Sequence, residues 1–460
     1  AVIHSMLTVR KRYEEWKRIN EGEVSVVVGA RSAVFSPLAK LGLIIIDEEH
    51  EGTYKSESSP RYHTTEVARF RAKSEGAVLI LASATPSFES YWRAENGKYT
   101  LIELKNRVNN RDLPKVTTID MRKELENGNF SIFSERLKTE IANNLKNKQQ
   151  TILFLNKRGY SSFVSCRKCG YVPKCPNCDI SLTYHKNGGF MVCHYCDYKT
   201  EKLDVCPNCG SEQIRFFGLG TQKVTDEIEK LFPSATYLRM DADTTSKRFS
   251  HEEILNKFRD EKIDILVGTQ MITKGLDFEN VTLVGVIAAD LSLYQDDFRA
   301  GEKTFSLLTQ VVGRAGRGEK DGRAVVQTYY PENEIFSYAS NQDYVSFYKN
   351  EIALRRQMLY PPFCEMINFT ASSDSEKTAF DALLSFRNAL LAEIKEKNIK
   401  ADVFGVQSAP MHRINNKFRF RFIIKMNYNR EIYERIHTLL KNFYKDNVSI
   451  IVDVNPVNMY

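Results

Sequence analysis

The sequence predicts an α/β protein with two parallel-sheet lobes, a cysteine-rich insertion in the second lobe and a mixed α+β tail. Three observations carry that expectation. Short β-branched or aliphatic runs alternate with amphipathic charged stretches through most of the chain, the rhythm of strands joined by helical crossovers. Eight of the nine cysteines fall within 44 residues, as four C-x-x-C pairs. Two prolines in Leu359-Tyr-Pro-Pro-Phe363 break the helix-like stretch before them and set off about a hundred residues of different pattern.

Aliphatic runs predict strands over 24–28, 43–46 and 78–81, and a helix over 64–74. A second set of strands is expected over 151–155, 236–239, 263–267, 282–288 and 324–328. The cysteine block separates the first strand of this second set from the next, so it is an insertion. The expected organisation is 1–108 for the remainder of a first lobe, 109–165 for a linker and the start of a second lobe, 166–212 for the insertion, 213–350 for the rest of the second lobe and 351–460 for the tail. At 460 residues the chain has room for about three cored domains. Its 42% apolar and 27% charged composition excludes a disordered tail, a collagen or a small disulfide scaffold. The longest apolar runs are too short to cross a bilayer, so no membrane partner is expected.

A C-x-x-C pair lets two thiolates from one tight turn grip a single metal, so four pairs make two zinc sites. Cys175/Cys178 and Cys193/Cys196 are separated by 14 residues, near the ribbon spacing of about 15 to 20, and are expected to share one ion. That leaves Cys166/Cys169 with Cys206/Cys209 as a nested outer site; pairing neighbours instead would join ligands across only residues 170–174. A disulfide framework would spread more widely and follow a signal peptide, whereas Arg10, Lys11 and Arg12 come after a weakly apolar start. A reducing cytoplasm is the coherent compartment. Cys364 is expected to be a small buried hydrophobe. Two Zn²⁺ with eight thiolates add four negative charges, which lowers the formal +7 to near +3 and leaves the insertion near −3. Such a module suits protein docking or strand guiding better than a bulk-charge grip on phosphates.

In Leu43-Ile-Ile-Ile-Asp-Glu-Glu-His50 an aliphatic run, expected to be buried on both faces, ends in carboxylates at the edge of the sheet where α/β proteins place ligands. Asp47 would hold Mg²⁺ through its water shell and Glu48 would orient or deprotonate an attacking water. A buried strand followed by a charged loop is the alternative. In Gln310-Val-Val-Gly-Arg-Ala-Gly-Arg-Gly318, a helix would put Gln310, Arg314 and Arg317 in one stripe, with guanidiniums able to meet charge on a γ-phosphate. Gly313, Ala315 and Gly316 would let that helix approach its ligand closely. Together these imply a cleft that closes on ATP.

Asp47-Glu-Glu-His50, Ser83-Ala-Thr85, Gly268-Thr-Gln-Met-Ile-Thr-Lys-Gly275 and Gln310 through Gly318 occur in the order of superfamily 2 helicase motifs II, III, V and VI. With the eight cysteines, and with Ala30-Arg-Ser-Ala-Val-Phe35, Arg61-Tyr-His63, Gly218-Leu-Gly-Thr221, Asp297-Phe-Arg299 and Tyr360-Pro-Pro-Phe363, the whole chain resembles the PriA family of replication-restart helicases. The resemblance implies two RecA-like lobes, the first incomplete. It also implies an ATP-dependent 3′-to-5′ DNA helicase that recognises stalled or repaired forks and initiates primosome assembly. ATP, Mg²⁺ and two Zn²⁺ would be bound; single-stranded and forked DNA, primosome proteins and single-stranded DNA-binding protein would be partners, in the cytoplasm. Asp47, Glu48, Gly275, Asp277, Gln310, Arg314 and Arg317 would surround the nucleotide, and His50 with Ser83 to Thr85 would couple its state to lobe movement. Thr269, Thr273 and Lys274 would meet the DNA backbone, and Thr221 would open a helix whose N–H groups face a DNA phosphate. Arg31, Arg61 and Tyr62 would also contact DNA, the last two in a loop with Tyr54 that resembles the family's aromatic-rich DNA-sensing loop. Where the family is associated with tryptophan before Arg61 this chain has Pro60, which argues against base stacking at that point.

No G-x-x-x-x-G-K-[ST] phosphate loop occurs; Gly301-Glu-Lys-Thr304 has Glu302 where glycine should abut lysine. This and the abrupt opening Ala1-Val-Ile-His4 read as a fragment of a longer protein, and the chain alone is expected to show little or no ATPase activity. A non-catalytic scaffold that binds forked DNA and recruits primosome proteins is the alternative function, and an RNA translocase of the same superfamily a third. In the tail, Lys417-Phe-Arg-Phe-Arg-Phe422 places Lys417, Arg419 and Arg421 on one strand face, which fits either a half-buried edge strand or a surface for single-stranded DNA.

Overall fold

The computed structural model describes residues 1–104, 113–155, 164–166, 168–169, 171–176, 181–185, 190–193, 198–212, 214–216, 221–241, 250–269, 272, 278–295, 297–316, 318, 320–443 and 447–459. They form two compact units. One comprises residues 1–101, 359–406 and 413–459, and the other residues 102–358 with 407–412.

In the first unit, β1 (Val2–Ile3), α1 (Val9–Asn20) and β2 (Val28–Gly29) precede β3 (Leu43–Ile46), α2 (Thr64–Glu75), β4 (Val78–Leu81) and α3 (Phe88–Glu95). β3 and β4 pair in parallel, as do β1 and β2. The strand expected over 24–28 is reduced to Val28–Gly29, because its partner β1 offers only two residues to pair with. Ile44, Ile46, Leu79 and Leu81 share a small core with Val34, Val67 and Ala68. In this chain β3 is packed on one face and not on both as expected: Ile45 and Val78 are each 60% exposed, while Ile44 and Ile46 pack on the side of α2. α2 stops at Gly76, whose φ of +69° is the left-handed turn that favours glycine.

The second unit contains β5 (Lys115–Asp120), α4 (Met121–Glu126), α5 (Glu135–Lys146) and β6 (Gln150–Leu155), then five short strands, β7 (Val164–Cys166), β8 (Thr183–His185), β9 (Phe190–Val192), β10 (Lys199–Glu201) and β11 (Ile214–Phe216). It continues with α6 (Thr221–Leu231), β12 (Tyr237–Met240), α7 (Ser250–Asp260), β13 (Ile265–Gly268), β14 (Val281–Ile287), α8 (Ala300–Val312), β15 (Arg323–Thr328), α9 (Glu334–Ser340) and α10 (Tyr344–Gln357). Six strands make one parallel sheet in the order β12-β13-β6-β14-β15-β5. Every residue of β6, β13 and β14 is buried, the signature of a sheet covered on both faces. Leu137 and Ile141 of α5 and Val224 and Ile228 of α6 join Leu153, Val267 and Leu283 in its core. The cysteine-bearing ribbons leave the chain after β6, between two strands of this sheet, as an insertion.

The tail adds β16 (Glu365–Ser373), α11 (Glu376–Glu396), β17 (Ala401–Val403), β18 (Gln407–Ile414), β19 (Lys417–Met426), α12 (Arg430–Asn442) and β20 (Ser449–Val454). In the first unit β17, β19, β16 and β20 lie side by side, antiparallel. β19 is therefore an interior strand, not the edge strand expected from its alternation. Phe420, Phe422, Ile424 and Met426 point into a core with Phe369 and Phe386. On its other face Arg421 is 1% exposed and donates to the Met459 carbonyl. The residues after β20 thus cover the part of that face that carries Arg421.

Candidate nucleotide and metal sites

β3 delivers Asp47, exposed, and Glu48, half-buried, at its carboxyl end. Glu48 has φ +48°, a left-handed conformation that costs a non-glycine residue about 1–3 kcal/mol and persists only where its surroundings fix it. Those surroundings are polar bonds. The Glu48 N–H donates to Asp47 Oδ1 at 2.9 Å, and the Glu49 N–H to the Ala82 carbonyl at 3.0 Å. The buried Glu49 carboxylate accepts from the Ser87 N–H at 2.6 Å, Ser87 Oγ at 3.1 Å and Ser90 Oγ at 3.0 Å. Burial raises the Glu49 carboxyl above its usual range against the pull of these hydrogen bonds. His50 Nδ1 lies 2.6 Å from Ser83 Oγ and 3.6 Å from Glu48 Oε2, and Ser83 Oγ accepts from the Thr85 N–H at 3.0 Å. The structure therefore brings together the two segments expected to couple, 47–50 and 83–85. It adds Glu49, Ser87 and Ser90, which the sequence reading missed; the signal was Ser87, placed as a cap before α3.

In the second unit Gln310 is half-buried on α8, but the continuous stripe with Arg314 does not form. α8 ends at Val312, and Arg314 sits in the turn after the Gly313 cap. The cause is Gly316, whose φ is +68° and whose N–H donates to the Val281 carbonyl at 3.0 Å. A Cβ there would fall 2.4 Å from the Gly322 N, and one on Gly318 2.1 Å from the Glu279 carbonyl oxygen. These glycines serve close approach of the chain to itself, where the sequence suggested approach to a ligand. Arg317 lies outside the described residues, as do Thr273, Lys274, Gly275 and Asp277. Thr269 follows β13 and is half-buried, its N–H donating to the Met240 carbonyl at 3.3 Å. Thr221 opens α6 as expected, but it is buried and its hydroxyl donates to Asp241 Oδ2 at 2.6 Å. Among the other residues expected at DNA, Arg31 donates to the Thr53 and Lys55 carbonyls, Tyr62 packs edge-on against Phe35, and Arg61 lies 3.6 Å from Asp453 Oδ2.

Cys166, Cys169, Cys206 and Cys209 converge, with their Sγ atoms all within 4.8 Å of one another. Cys166 and Cys209 are 3.6 Å apart and Cys169 and Cys206 3.5 Å apart, near the ~3.8 Å edge of a tetrahedron with ~2.3 Å metal–sulfur bonds. β7 pairs with β11 to bring the two halves together, and the turns share one pattern: the N–H of Cys166 donates to the Tyr171 carbonyl and that of Cys206 to the Ser211 carbonyl. Cys193 repeats it with Tyr198. Burial pushes the Cys166 thiol up to about 12; at Cys169 it acts the same way, but hydrogen bonds led by Asn208 outweigh it and bring that thiol down to about 7. Four thiolates this close need a cation to ionise together. Arg122, bound to Asp120 at 2.7 Å, also reaches the Cys169 carbonyl at 3.4 Å and ties the cluster to the end of β5. Of the inner set, Cys175 and Cys193 are buried, while Cys178 and Cys196 lie outside the described residues. Cys364 is half-buried, not buried as expected, and its thiol donates to the Leu359 carbonyl.

Known proteins resemble this chain along its length. Residues 175–200 match the PriA DNA helicase Cys-rich region domain, a span that holds the two cysteine pairs assigned to one ion by spacing. Residues 202–319 match the helicase conserved C-terminal domain, and 356–457 the primosomal protein N C-terminal domain. All of the chain aligns at 48% identity with 57% of the replication restart protein PriA of Bacillus subtilis, and at 40% with 56% of that of Synechocystis. The PriA of Treponema pallidum is 37% identical, with 69% of its length covered. The chain thus spans little more than half of the first two relatives. A solved structure of RecG bound to a three-way DNA junction aligns over 79% of the chain and 36% of its own length at 13% identity, with a TM-score of 0.38.

Proposed function

The chain belongs to the PriA family of replication restart proteins, and from that premise we propose that the whole protein is an ATP-driven 3′-to-5′ DNA helicase that engages forks and initiates primosome assembly. The observation that supports this most is the acidic turn: a left-handed Glu48 beside an exposed Asp47, held by partly buried hydrogen bonds to the segment after β4. A carboxylate left open to solvent at a strand's end suits a hydrated Mg²⁺, which would polarise the phosphate oxygens when bound. Glu48 then orients or deprotonates the attacking water, and His50 reports its position to Ser83. Gln310, Arg314 and Arg317 are assigned to the charge that develops on the phosphate. Thr269, Thr273 and Lys274 are assigned to the DNA backbone, single-stranded or forked.

The two cysteine sets are assigned to two Zn²⁺, one held by Cys166, Cys169, Cys206 and Cys209 and one by Cys175, Cys178, Cys193 and Cys196. Elemental analysis should find two zinc atoms per chain; one would remove the second assignment. Primosome proteins and single-stranded DNA-binding protein are the proposed partners, and the cytoplasm the proposed compartment. No described helix is long and apolar enough to cross a membrane. In the full-length protein, Glu48→Gln should abolish DNA-stimulated ATP hydrolysis and unwinding while leaving DNA binding in place. Hydrolysis at the unaltered rate would overturn the enzymatic reading.

A further inference from the structure

The loop that follows His50 is held from two sides within one compact unit. On one side it belongs to the acidic turn. The Tyr54 hydroxyl donates to the Asp47 carbonyl at 2.7 Å, and burial, then the charges of Asp47, Glu51 and Glu48, raise the pKa of that phenol so that it stays a donor. Thr64 Oγ1 donates to the Tyr54 carbonyl at 3.0 Å, and Arg31 Nη1 donates to the carbonyls of Thr53 at 3.1 Å and Lys55 at 2.7 Å. The backbone on both sides of Tyr54 is therefore fixed.

On the other side the loop meets the last strand of the tail and the residues after it. Lys55 is 6% exposed; its Nζ lies 3.0 Å from Asp453 Oδ1 and donates to the Val454 carbonyl at 2.6 Å. Arg61, on the returning arm of the loop, places Nη1 3.6 Å from the other Asp453 oxygen. Lys55 and His63 form a short antiparallel bridge, and the Ser56 N–H donates to the Tyr62 carbonyl at 2.8 Å, so the two arms move together. Gly52 closes against Val457, where a Cβ would come within 2.7 Å of Cγ1, and Asn458 donates to Glu57 at 3.3 Å.

A lysine this buried must keep its ammonium paired, and a buried ion pair adds little net stability over apolar packing. What such a pair does well is fix a register. Asp453 draws a cation from each arm of the loop, and the register it selects is the one that seats Tyr54 on Asp47. We propose that Asp453 is a positioning residue for the acidic turn, acting through Lys55 and Arg61 on the loop that props Asp47. This rests on the reading of Asp47 and Glu48 as the nucleotide-hydrolysing pair. The C-terminal strand, 399 residues away in sequence from Lys55, thereby sets the efficiency of hydrolysis.

The test uses the full-length protein. Asp453→Asn keeps the shape and removes the charge; it should lower kcat for DNA-stimulated ATP hydrolysis by about tenfold to a hundredfold. KM for ATP should stay within about twofold, since the turn and not nucleotide binding is displaced. Asp453→Glu should recover most of the rate. Hydrogen exchange of the amides over 47–63, read without nucleotide, should quicken in Asp453→Asn and not in Asp453→Glu. Unchanged exchange overturns the hold of Asp453 on the loop, and quicker exchange with unchanged kcat overturns its positioning role. If Asp453→Asn does not fold, the double variant Lys55→Met, Asp453→Asn removes both charges together and should show the same fall in kcat. Glu48→Gln separates the two readings: were it to leave hydrolysis intact, the enzymatic reading would fall, while the exchange measurement would still decide whether Asp453 holds the loop.

Discussion

The six-stranded sheet of the second unit and the β3–β4 pair of the first are built from the same kind of aliphatic run, yet they are held in different ways. Every residue of β6, β13 and β14 is buried, and the packing is close enough that a Cβ on Gly285 would fall 2.7 Å from Leu153 Cδ2. In β3 and β4 burial alternates, with Ile44, Ile46, Leu79 and Leu81 against α2 and Leu43, Ile45, Val78 and Ile80 exposed. Packing over-determines the first sheet. In this chain, which spans little more than half of its first two relatives, the second packs one face, and the acidic turn at its end is held by directional bonds: Glu49 to Ser87 and Ser90, His50 to Ser83, and Tyr54 to Asp47. A site set by hydrogen bonds can be shifted by small movements of its partners, whereas one set by packing resists them.

The largest effect expected from this contrast is in the buried sheet. Leu153→Ala should cost about 3–5 kcal/mol in denaturant unfolding, because its neighbours on both faces cannot collapse into the space. A cost under about 1 kcal/mol would mean that the sheet is looser than its burial implies, and the comparison would fail. A smaller effect comes from a buried carboxyl at its edge. Asp290, wholly buried just after β14, accepts from Thr328 Oγ1 and from the Tyr329 N–H at 2.8 Å, and burial raises its pKa to about 6. A carboxyl raised in the fold favours the folded state while protonated. Its contribution is fully present below the unfolded value near 3.8 and is lost as pH rises through about 6. The stability difference between the parent and Asp290→Asn should therefore fall by up to about 3 kcal/mol from pH 3.5 to pH 7. A pH-independent difference would show that the carboxyl is not titrating in that window.

The same contrast explains what was legible in the sequence. Runs such as Thr151 to Leu155 and Thr282 to Ala288 announce strands, since continuous apolar residues have few other uses, and the structure has them at Gln150–Leu155 and Val281–Ile287. The four cysteine turns announced a metal module, and spacing picked out the outer set that the structure draws together. Burial of only one face of β3 was not legible, because an exposed Ile45 and a buried Ile46 look alike as letters. Nor was the end of α8: Gln310 and Arg314 have helical spacing, and only the contact of Gly316 with Gly322 and Val281 shows why the helix stops between them. The Lys417 to Phe422 alternation marks a strand, but its place inside the sheet depends on partners β16 and β18, which no local pattern reveals. Glu49 was hidden because its partners Ser87 and Ser90 lie on another element.

The smallest expected effect is the sharpest test of the β3–β4 side. Ile45 is 60% exposed, so truncation to alanine removes little buried area and leaves no cavity. In this chain taken alone, Ile45→Ala should cost about 0.5 kcal/mol or less, the range of surface substitutions. Were it to cost as much as Leu153→Ala, the exposed face would have to be covered in solution. A second copy covering it would make the melting temperature rise with protein concentration, because anything bound only to the folded state stabilises it by mass action. A small cost with no concentration dependence leaves β3 packed on one side alone, and the acidic turn then owes its shape to Glu49, His50 and Tyr54.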